Sequence, residues 1–450
     1  MNFPLGKPIL AMLILALVSG GILAFRPAPP EADLVFWTFA QSHADTYRSI
    51  IAEFEKQTGK KVDIQLVAPR AENTRLESMF MSGQSDRVLP DVVEIEITNV
   101  ARFLRPPLKE VGLLPLNDYL QQGRWDQKIP ATRLATWTKD NVIFGLPHDL
   151  HPVTIAYRQD LFQEAGINLE DAKTWPQFQQ MCLQFQNYWR AKGYPTRHAM
   201  ELSRSTADSL IIMLLQRGLN VIDQHEKIHI NDPIVAQTLA FYAQLVAGQN
   251  AIGAQSGNSG IWTTDLLQGN LCAFFCPDWR ASDPRDFAPQ LAGKLRMIPL
   301  PKFESADSPT STWGGTMIAI TRNSRHHDDA WKLIEFLYLS RSGLDARLKV
   351  TDILPPLMTW WNLPIFHRED PYYGGQKIEE LYIQMAAQLP ARYVTPFTAV
   401  AESALTIVIG RATRYVENYG TAGLEAQCQQ WLDFVAADLN RRIQHGRFDN

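Results

Sequence analysis

Aromatic, amide and acidic side chains stand at the ends of two apolar runs in the sequence. Trp37 and Gln41 lie at the end of the first run, while Glu94 and Glu96 alternate with apolar residues in the second. An aromatic ring can stack on the apolar face of a sugar, and planar carboxylate or amide groups can form paired hydrogen bonds with neighbouring hydroxyls. These residues therefore predict a binding site for a small hydroxylated molecule.

The same residue types recur further along the chain. Trp279 follows Asp278, and Trp313 precedes Gly314, where backbone without a side chain could approach a ligand closely. A plainer interpretation stays open at each position, because the tryptophans could pack in a core and the acids could belong to solvated strand edges or loops.

The sequence carries no motif typical of an enzyme or a metal centre. It has no nucleophile elbow, no HExxH and no phosphate-binding loop. His326-His-Asp-Asp329 opens a predicted helix, where polar and acidic residues serve as caps. A glycoside hydrolase, which needs only two suitably spaced carboxylates, stays an alternative. We expect a binding protein without a metal ion or cofactor, and not an enzyme.

Length and charge narrow the class of protein. The chain has 450 residues, which suggests about two or three folding units. Its 43 Lys and Arg against 47 Asp and Glu leave no basic excess, so nucleic acid is not an expected partner.

The four cysteines do not form a disulfide scaffold. Cys272 and Cys276 lie on one predicted strand, too far apart to be bridged. No CxxC occurs, so we expect the cysteines to be small buried apolar residues, with a Cys182–Cys428 pair left open.

The N-terminus has the pattern of an export signal. Lys7 precedes an apolar stretch at 9–25, and a proline-rich linker completes residues 1–31. The stretch is nearly long enough to span a bilayer, so an uncleaved membrane anchor is the alternative. Gly21 stands where a lipoprotein would carry its acylated cysteine. The rest of the chain is expected on the periplasmic or extracellular side of the membrane.

Strand and helix patterns alternate after this segment. Strands are predicted at 33–38, 61–66 and 90–97, separated by helices at 47–54 and 72–81. This alternation is typical of a doubly wound α/β fold, in which ligands bind beyond the carboxyl ends of parallel strands. Later strand patterns lie at 142–147, 271–275, 295–299 and 316–320, and helical patterns dominate 174–246 and the region beyond 328.

Four stretches, in this order, resemble the extracellular solute-binding proteins of family 1, the maltose-binding-protein type that serves ABC importers. Each stretch is weak alone, but the ordered set covers most of the chain; the C-terminal region matches only loosely. The matching stretches are Leu34-Val-Phe-Trp37 with Thr58-Gly-Lys-Lys-Val62, Leu89-Pro-Asp-Val-Val93 with Val111-Gly-Leu-Leu-Pro-Leu116, Gly145-Leu-Pro147 with Ala156-Tyr-Arg-Gln-Asp-Leu-Phe162, Ala165-Gly166 and Thr174-Trp175, and Gly269-Asn-Leu-Cys-Ala-Phe274 with Asp278-Trp279, Pro299-Leu-Pro301, Gly314-Gly315 and the helix around Trp331.

The resemblance implies a type II periplasmic-binding-protein fold, with two doubly wound α/β lobes joined by a three-segment hinge. Asp149 and His151 would face the cleft just after the first crossing, and Trp279 matches the cleft tryptophan of the family. The implied N-terminal lobe comprises 32–146 and 296–340, the C-terminal lobe comprises 147–295 and 341–450, and the crossings lie near 145–147, 294–299 and 337–342.

The implied function is the capture of a mono- or oligosaccharide by closure of the lobes, and its delivery to the membrane subunits of an ABC importer. The chain would act as a monomer. A non-sugar solute such as a polyamine or a phosphate ester is the alternative within the same fold, although the acidic loops disfavour an anion. A membrane-anchored ligand sensor is the other alternative.

Overall fold

Two main β-sheets organise the chain, and each is packed between apolar clusters on both faces. A computed structural model describes residues 12, 14, 15 and 17 and the ranges 32–82, 90–104, 107–257 and 259–448. The strands are β1 (Leu34–Thr38), β2 (Val62–Leu66), β3 (Val92–Glu96), β4 (Thr138–Lys139), β5 (Val142–Ile143), β6 (Leu146–Pro147), β7 (Val153–Arg158), β8 (Met200–Glu201), β9 (Gly253–Ala254), β10 (Ala273–Pro277), β11 (Leu295–Ile298) and β12 (Thr316–Ile320).

The helices follow the strands in alternation at first and dominate the C-terminal region. They are α1 (Gln41–Thr58), α2 (Pro69–Ser82), α3 (Ile97–Val100), α4 (Asn117–Gln122), α5 (Ala131–Leu134), α6 (Gln159–Glu164), α7 (Trp175–Ala191), α8 (Asp208–Gln216), α9 (Pro233–Val246), α10 (Ser259–Gln268), α11 (Asp283–Phe287), α12 (His327–Ile334), which continues as a π-helix over Glu335–Leu339, α13 (Arg341–Arg347), α14 (Ile378–Ala386), α15 (Thr398–Tyr419) and α16 (Leu424–Phe448).

The first sheet has five strands in the order β2-β1-β3-β12-β6. The pairs β1–β2 and β1–β3 are parallel, which confirms the predicted strand-helix alternation, whereas β12 runs antiparallel to β3 and to β6. Successive residues of β1 point to opposite faces. Leu34 and Phe36 therefore join one core cluster, and Val35 and Trp37 join the other.

The second sheet has three antiparallel strands in the order β10-β7-β11. Its faces are divided in the same way, with Phe275 in one cluster and Phe274 in the other. The strand β11 forms one edge, where the Gln376 side chain hydrogen-bonds with both the backbone N–H and the C=O of Met297, each at 2.8 Å.

The chain passes between the sheets at two places. The first passage, between β6 and β7, follows the predicted crossing at 145–147. The second falls between β11 and β12, later than the predicted 294–299, because Leu295–Ile298 still pairs with β7. The whole of β11 therefore lies in the three-stranded sheet, whereas the predicted boundary at 296 assigns residues 296–298 to the N-terminal lobe.

The four cysteines are buried and free, with burial in apolar surroundings raising the pKa of Cys272 and Cys276 to about 12. The predicted signal or anchor, residues 1–31, lies almost wholly outside the described residues. Among the helices that the structure describes, none combines the length and apolar character that a membrane span requires.

We expect the start of α7, which packs on the three-stranded sheet, to depend on its capping box. The Thr174 side chain accepts from the Gln177 N–H, and the Gln177 side chain accepts from the Thr174 N–H. Thr174→Ala should lower the free energy of unfolding, measured with denaturant, by about 1 kcal/mol. Thr174→Ser, which keeps the hydroxyl, is the control, and an equal loss in both variants would contradict this interpretation.

Candidate ligand-binding site

A buried chain of charged side chains connects the two sheets. Asp149, in the passage between β6 and β7, forms an ion pair with Arg133 of α5, and both side chains are 1% exposed. Arg133 Nε also donates to the Asp149 carbonyl at 2.8 Å, while the other carboxylate oxygen accepts from the Thr316 backbone N–H at 3.1 Å. Asp149 is thus held by α5 and by β12 at once.

His151 extends this chain to the three-stranded sheet. Its Nε2 lies 3.0 Å from Asp149 Oδ2, and its Nδ1 lies 2.6 Å from Oδ1 of Asp278, the residue that follows β10. Burial alone would lower the pKa of His151, but the two carboxylates raise it to about 9. For Asp149 burial acts in the opposite direction and would raise the pKa, but His151 and Arg133 hold it well below its usual value. His151 is therefore an imidazolium between two carboxylates near neutral pH.

Gly314 and Gly315 lie where the side chains of this network leave little space for a larger residue. Gly315 has a φ of +151°, and a Cβ there would collide with the Arg133 guanidinium. Gly314 has a φ of +89°, and its Cβ would lie 3.3 Å from Trp279 Nε1 and 3.4 Å from His151 Cδ2. The bare backbone predicted at Gly314 is thus pressed against protein side chains.

A second buried cluster surrounds Glu94 of β3. Its carboxylate accepts from the hydroxyls of Thr38, Tyr47 and Tyr338, and its Oε2 lies 3.0 Å from His43 Nδ1. Burial would raise the pKa of Glu94, but His43 and the donated hydrogen bonds hold it at about 2.

Three of these side chains have the composition of a metal site. One potential ligand atom from each of His43, Glu94 and His148 lies within 4.8 Å of the others. However, both Glu94 oxygens already accept two donors each, so an ion would have to displace protein hydrogen bonds. The arrangement fits a satisfied polar core better than a metal centre.

His148 links the two clusters. Its ring stacks on His43 with the centroids 4.0 Å apart, and its Nδ1 lies 3.5 Å from Asp149 Oδ2 without forming a hydrogen bond. Burial, together with the nearby Arg347 guanidinium, lowers the pKa of His148 to about 3. The ring is therefore neutral at physiological pH.

A polar cavity opens beside Trp313, on the side of the three-stranded sheet. It has a volume of about 160 Å³. Its lining includes Glu201, Ser203, Asp208, Gln255, Arg280 and Trp313. These residues combine one aromatic ring with several planar hydrogen-bonding groups, which is the composition that recognition of hydroxyl groups requires.

The cavity wall is held by contacts within the protein. Arg280 pairs with Glu201 at 2.8 Å, and its guanidinium lies over the Trp262 ring at 4.7 Å. Trp279 donates its indole N–H to the Trp313 carbonyl at 3.0 Å, and the two rings meet edge to face at 5.2 Å. Trp313 therefore lines the cavity, and the half-buried Trp279 supports it from outside the cavity.

The structure brings together only part of the predicted site. Asp149, His151 and Asp278 are in contact, with Trp279, Trp313 and Gly314 around them. Of these six residues, Trp313 is the one that lines the cavity.

The remaining predicted residues lie elsewhere. Trp37 is 5% exposed in the core, where its indole N–H donates to Gln65. Gln41 is exposed at the start of α1 and donates to Asp45. Glu96 caps α3 through the Thr98 N–H, and Glu94 is enclosed by the donors described above. A ligand at Glu94 would have to replace those donors.

Sequence reasoning missed several residues of the network and of the cavity. Arg133 stands in a stretch without a distinguishing pattern. Tyr338 falls within the predicted crossing at 337–342, but nothing in the sequence marks its hydroxyl as a partner of Glu94. Arg280 follows Asp278-Trp279 directly, and a search for cations near that motif could have found it. Glu201 and Asp208 lie within 174–246, where helical patterns dominate and do not indicate the short strand β8 that carries Glu201.

Comparison with known families decides the class of protein. The model of the bacterial extracellular solute-binding proteins matches residues 40–342, well over half of the chain. The chain belongs to this family. It is therefore an extracytoplasmic solute-binding protein and not an enzyme, as the sequence predicts.

Relatives of this solute-binding protein include an arabinooligosaccharide-binding protein of Halalkalibacterium halodurans, 22% identical over 81% of both chains. The sugar-binding protein MalE from Xanthomonas citri has a TM-score of 0.72 at 20% identity, over 91% of this chain and 99% of that one. An ABC transporter associated binding protein from B. animalis subsp. lactis, in complex with β-1,6-galactobiose, has a TM-score of 0.65 at 20% identity, over 90% and 97%. These structures confirm the predicted periplasmic-binding-protein fold.

The buried Asp149 ion pair should make a large contribution to stability. Asp149→Asn would leave Arg133 and His151 as buried cations without their shared partner, and should lower the free energy of unfolding by about 3–5 kcal/mol. Denaturant unfolding gives this value. The exposed pair Arg341–Asp345 offers the control, because Asp345→Asn should cost no more than about 1 kcal/mol. Similar losses in both variants would contradict the role of burial.

Because His148 is neutral in the folded protein, the free energy of unfolding should fall in acid. Its pKa falls from 6.5 in the unfolded chain to about 3 in the folded protein, so stability is lost as the pH falls from 6.5 towards 3. His148→Phe keeps a flat ring and removes the proton-binding site. Its stability relative to the natural protein should therefore rise by up to about 1.4 kcal/mol per pH unit below pH 6.5. Urea unfolding across this range measures the difference, and a constant difference would refute the assignment.

Proposed function

We propose that this extracytoplasmic protein captures a mono- or oligosaccharide in the cavity beside Trp313 and delivers it to the membrane subunits of an ABC importer. The observation that carries the proposal is the lining itself. Trp313 offers a flat apolar face, while Glu201, Asp208 and Gln255 offer planar groups that can accept from and donate to hydroxyls. The arabinooligosaccharide-binding relative and the similar structure in complex with β-1,6-galactobiose support a sugar.

The proposed mechanism is closure of two lobes built on the two sheets. The passages between β6 and β7 and between β11 and β12 would act as hinges, together with the predicted third crossing at 337–342. A ligand that contacts both lobes binds the closed form more tightly and so shifts the equilibrium towards it. Small-angle scattering should show a smaller radius of gyration with saturating sugar; an unchanged profile would contradict closure.

The charges of the cavity favour a cation as the alternative to a neutral sugar. Glu201 and Asp208 outnumber Arg280, and Arg280 is already paired with Glu201. A polyamine would use the free Asp208 carboxylate, whereas a phosphate ester would meet an unfavourable charge. A membrane-anchored sensor is the other alternative and would keep the same ligand site. Detection of the uncleaved chain in the membrane fraction would support anchoring.

A thermal-shift screen of the full chain tests the ligand class directly. Arabinotriose, β-1,6-galactobiose, maltotetraose, spermidine and glucose 6-phosphate form the panel. A ligand that binds only the folded protein stabilises it by about 2.7 kcal/mol at a concentration one hundred times its Kd. We expect a shift with at least one sugar. A shift with spermidine alone would replace the sugar by a polyamine, and no shift at all would reject the proposal.

Removal of the cavity tryptophan should weaken sugar binding without unfolding the protein. Trp313→Ala deletes the stacking face, and we expect the Kd for the best sugar of the panel to rise about tenfold or more by calorimetry, equivalent to about 1.4 kcal/mol. Trp431→Ala removes a half-buried tryptophan of α16 that lies outside the cavity. Equal affinities of the two variants would place the ligand elsewhere.

A further inference from the structure

His151 occupies a conformation that its surroundings must enforce. It is one of the non-glycine residues with positive φ, at +54°, a region that histidine, asparagine and aspartate visit more readily than other residues. Its side chain is only 6% exposed. Such a backbone conformation persists when the contacts of the side chain determine it.

The contacts of His151 require a proton on each ring nitrogen. Nδ1 faces Asp278 at 2.6 Å and Nε2 faces Asp149 at 3.0 Å, and a carboxylate can only accept. A neutral imidazole has one donor, so it can serve only one of the two acids. Loss of one proton would place a nitrogen lone pair against a buried carboxylate.

Asp278 connects His151 to the Trp279–Trp313 pair. The same oxygen that meets His151 accepts from the Trp279 backbone N–H at 2.8 Å, and the other oxygen accepts from the Leu354 N–H at 2.8 Å. Trp279 in turn donates to the Trp313 carbonyl. Gly314 lies next to both Trp279 and His151, with little space for a larger side chain between them.

We propose that His151 is a positioning residue for the ligand site: as an imidazolium bridging Asp149 and Asp278, it fixes the Trp279–Trp313 pair at the cavity, and the loss of its proton releases the pair and weakens sugar binding. The inference rests on the proposed function for its effect on affinity, but the position of the tryptophans is a property of the ligand-free protein. Binding is therefore sensitive to alkaline pH through a residue that does not line the cavity.

The groups that face His151 come from four directions. Two groups contact its ring directly: Asp149 from its own segment and Asp278 from the turn after β10. The other two directions are one step further away. Arg133 of α5 pairs with Asp149, and Arg347 of α13 donates to the carbonyl of His148 at 2.6 Å. Burial lowers the pKa of His148 to about 3, so that ring stays neutral throughout the alkaline range. The pKa of His151, about 9, sets the range to be scanned.

Tryptophan fluorescence of the ligand-free full chain, titrated between about pH 7 and pH 10.5, is the first readout. We expect an inflection near pH 9 in the natural protein. The inflection should disappear in His151→Asn, which tolerates a positive φ but lacks the titrating ring, and should shrink in Trp279→Phe. Circular dichroism checks that the variants are folded. A natural protein without this inflection overturns the inference, and so does an inflection that persists in His151→Asn.

Calorimetry with the panel sugar of highest affinity (arabinotriose, β-1,6-galactobiose or maltotetraose) is the second readout. We expect the Kd of the natural protein to rise about tenfold between pH 7.5 and pH 10, and that of His151→Asn to be raised already at pH 7.5 and to change little with pH. A pH-independent affinity of the natural protein overturns the inference. Failure of every sugar to bind at pH 7.5 overturns the proposed function instead, and the fluorescence titration then decides the positioning role on its own.

Discussion

The buried Asp149 carboxylate is the group on which the arrangement of the two sheets depends. An ionised carboxylate this far from water is stable only if cations and hydrogen-bond donors reach it in the right geometry. Here they come from three elements: Arg133 of α5, the Thr316 N–H of β12 and His151. Since His151 also meets Asp278 beside β10, the five-stranded and three-stranded sheets share one charge-balanced contact. Movement of one sheet relative to the other has to keep this contact paired.

The polar core of the five-stranded sheet extends from the same point. His148 lies between Asp149 and the Glu94 cluster, with its ring against His43. The His148 ring is held neutral and the His151 ring is held charged, although the two residues are only three positions apart. The difference follows from their neighbours: His151 faces two carboxylates, whereas His148 is buried beside the Arg347 guanidinium. Buried side chains that do not line the cavity therefore hold the passage between β6 and β7 in place.

The elements of the fold could be predicted where the signal is local. The alternation in Lys61–Leu66 and the helical spacing of Tyr47 and Phe54 depend on residues close in sequence, and β2 and α1 lie where these patterns indicate. The strand β11 was predicted as an element, but its sheet was assigned differently, because pairing with β7 depends on residues more than one hundred positions away. The periodicity of a sequence indicates that a strand forms, but it does not indicate which other strand it pairs with.

The site was predictable to a smaller extent for the same reason. The family resemblance pointed to Asp149, His151 and the Asp278-Trp279 pair, but Arg133, the ion-pair partner of Asp149, lies in a short helix that nothing in the sequence marks. Glu94 shows the opposite difficulty. A carboxylate on a strand suggests a group that awaits a ligand, yet three hydroxyls and a histidine from distant positions already satisfy it. Whether a polar group is free depends on the tertiary fold.

The Gln376 side chain at the edge of the three-stranded sheet has a consequence for the chain in a crowded compartment. An open strand edge is a template on which another polypeptide can add, and this is a common first step in aggregation. By hydrogen-bonding with both the N–H and the C=O of Met297, a single amide occupies the groups that an incoming strand would need. The Gln376 side chain thereby blocks part of the exposed edge of β11.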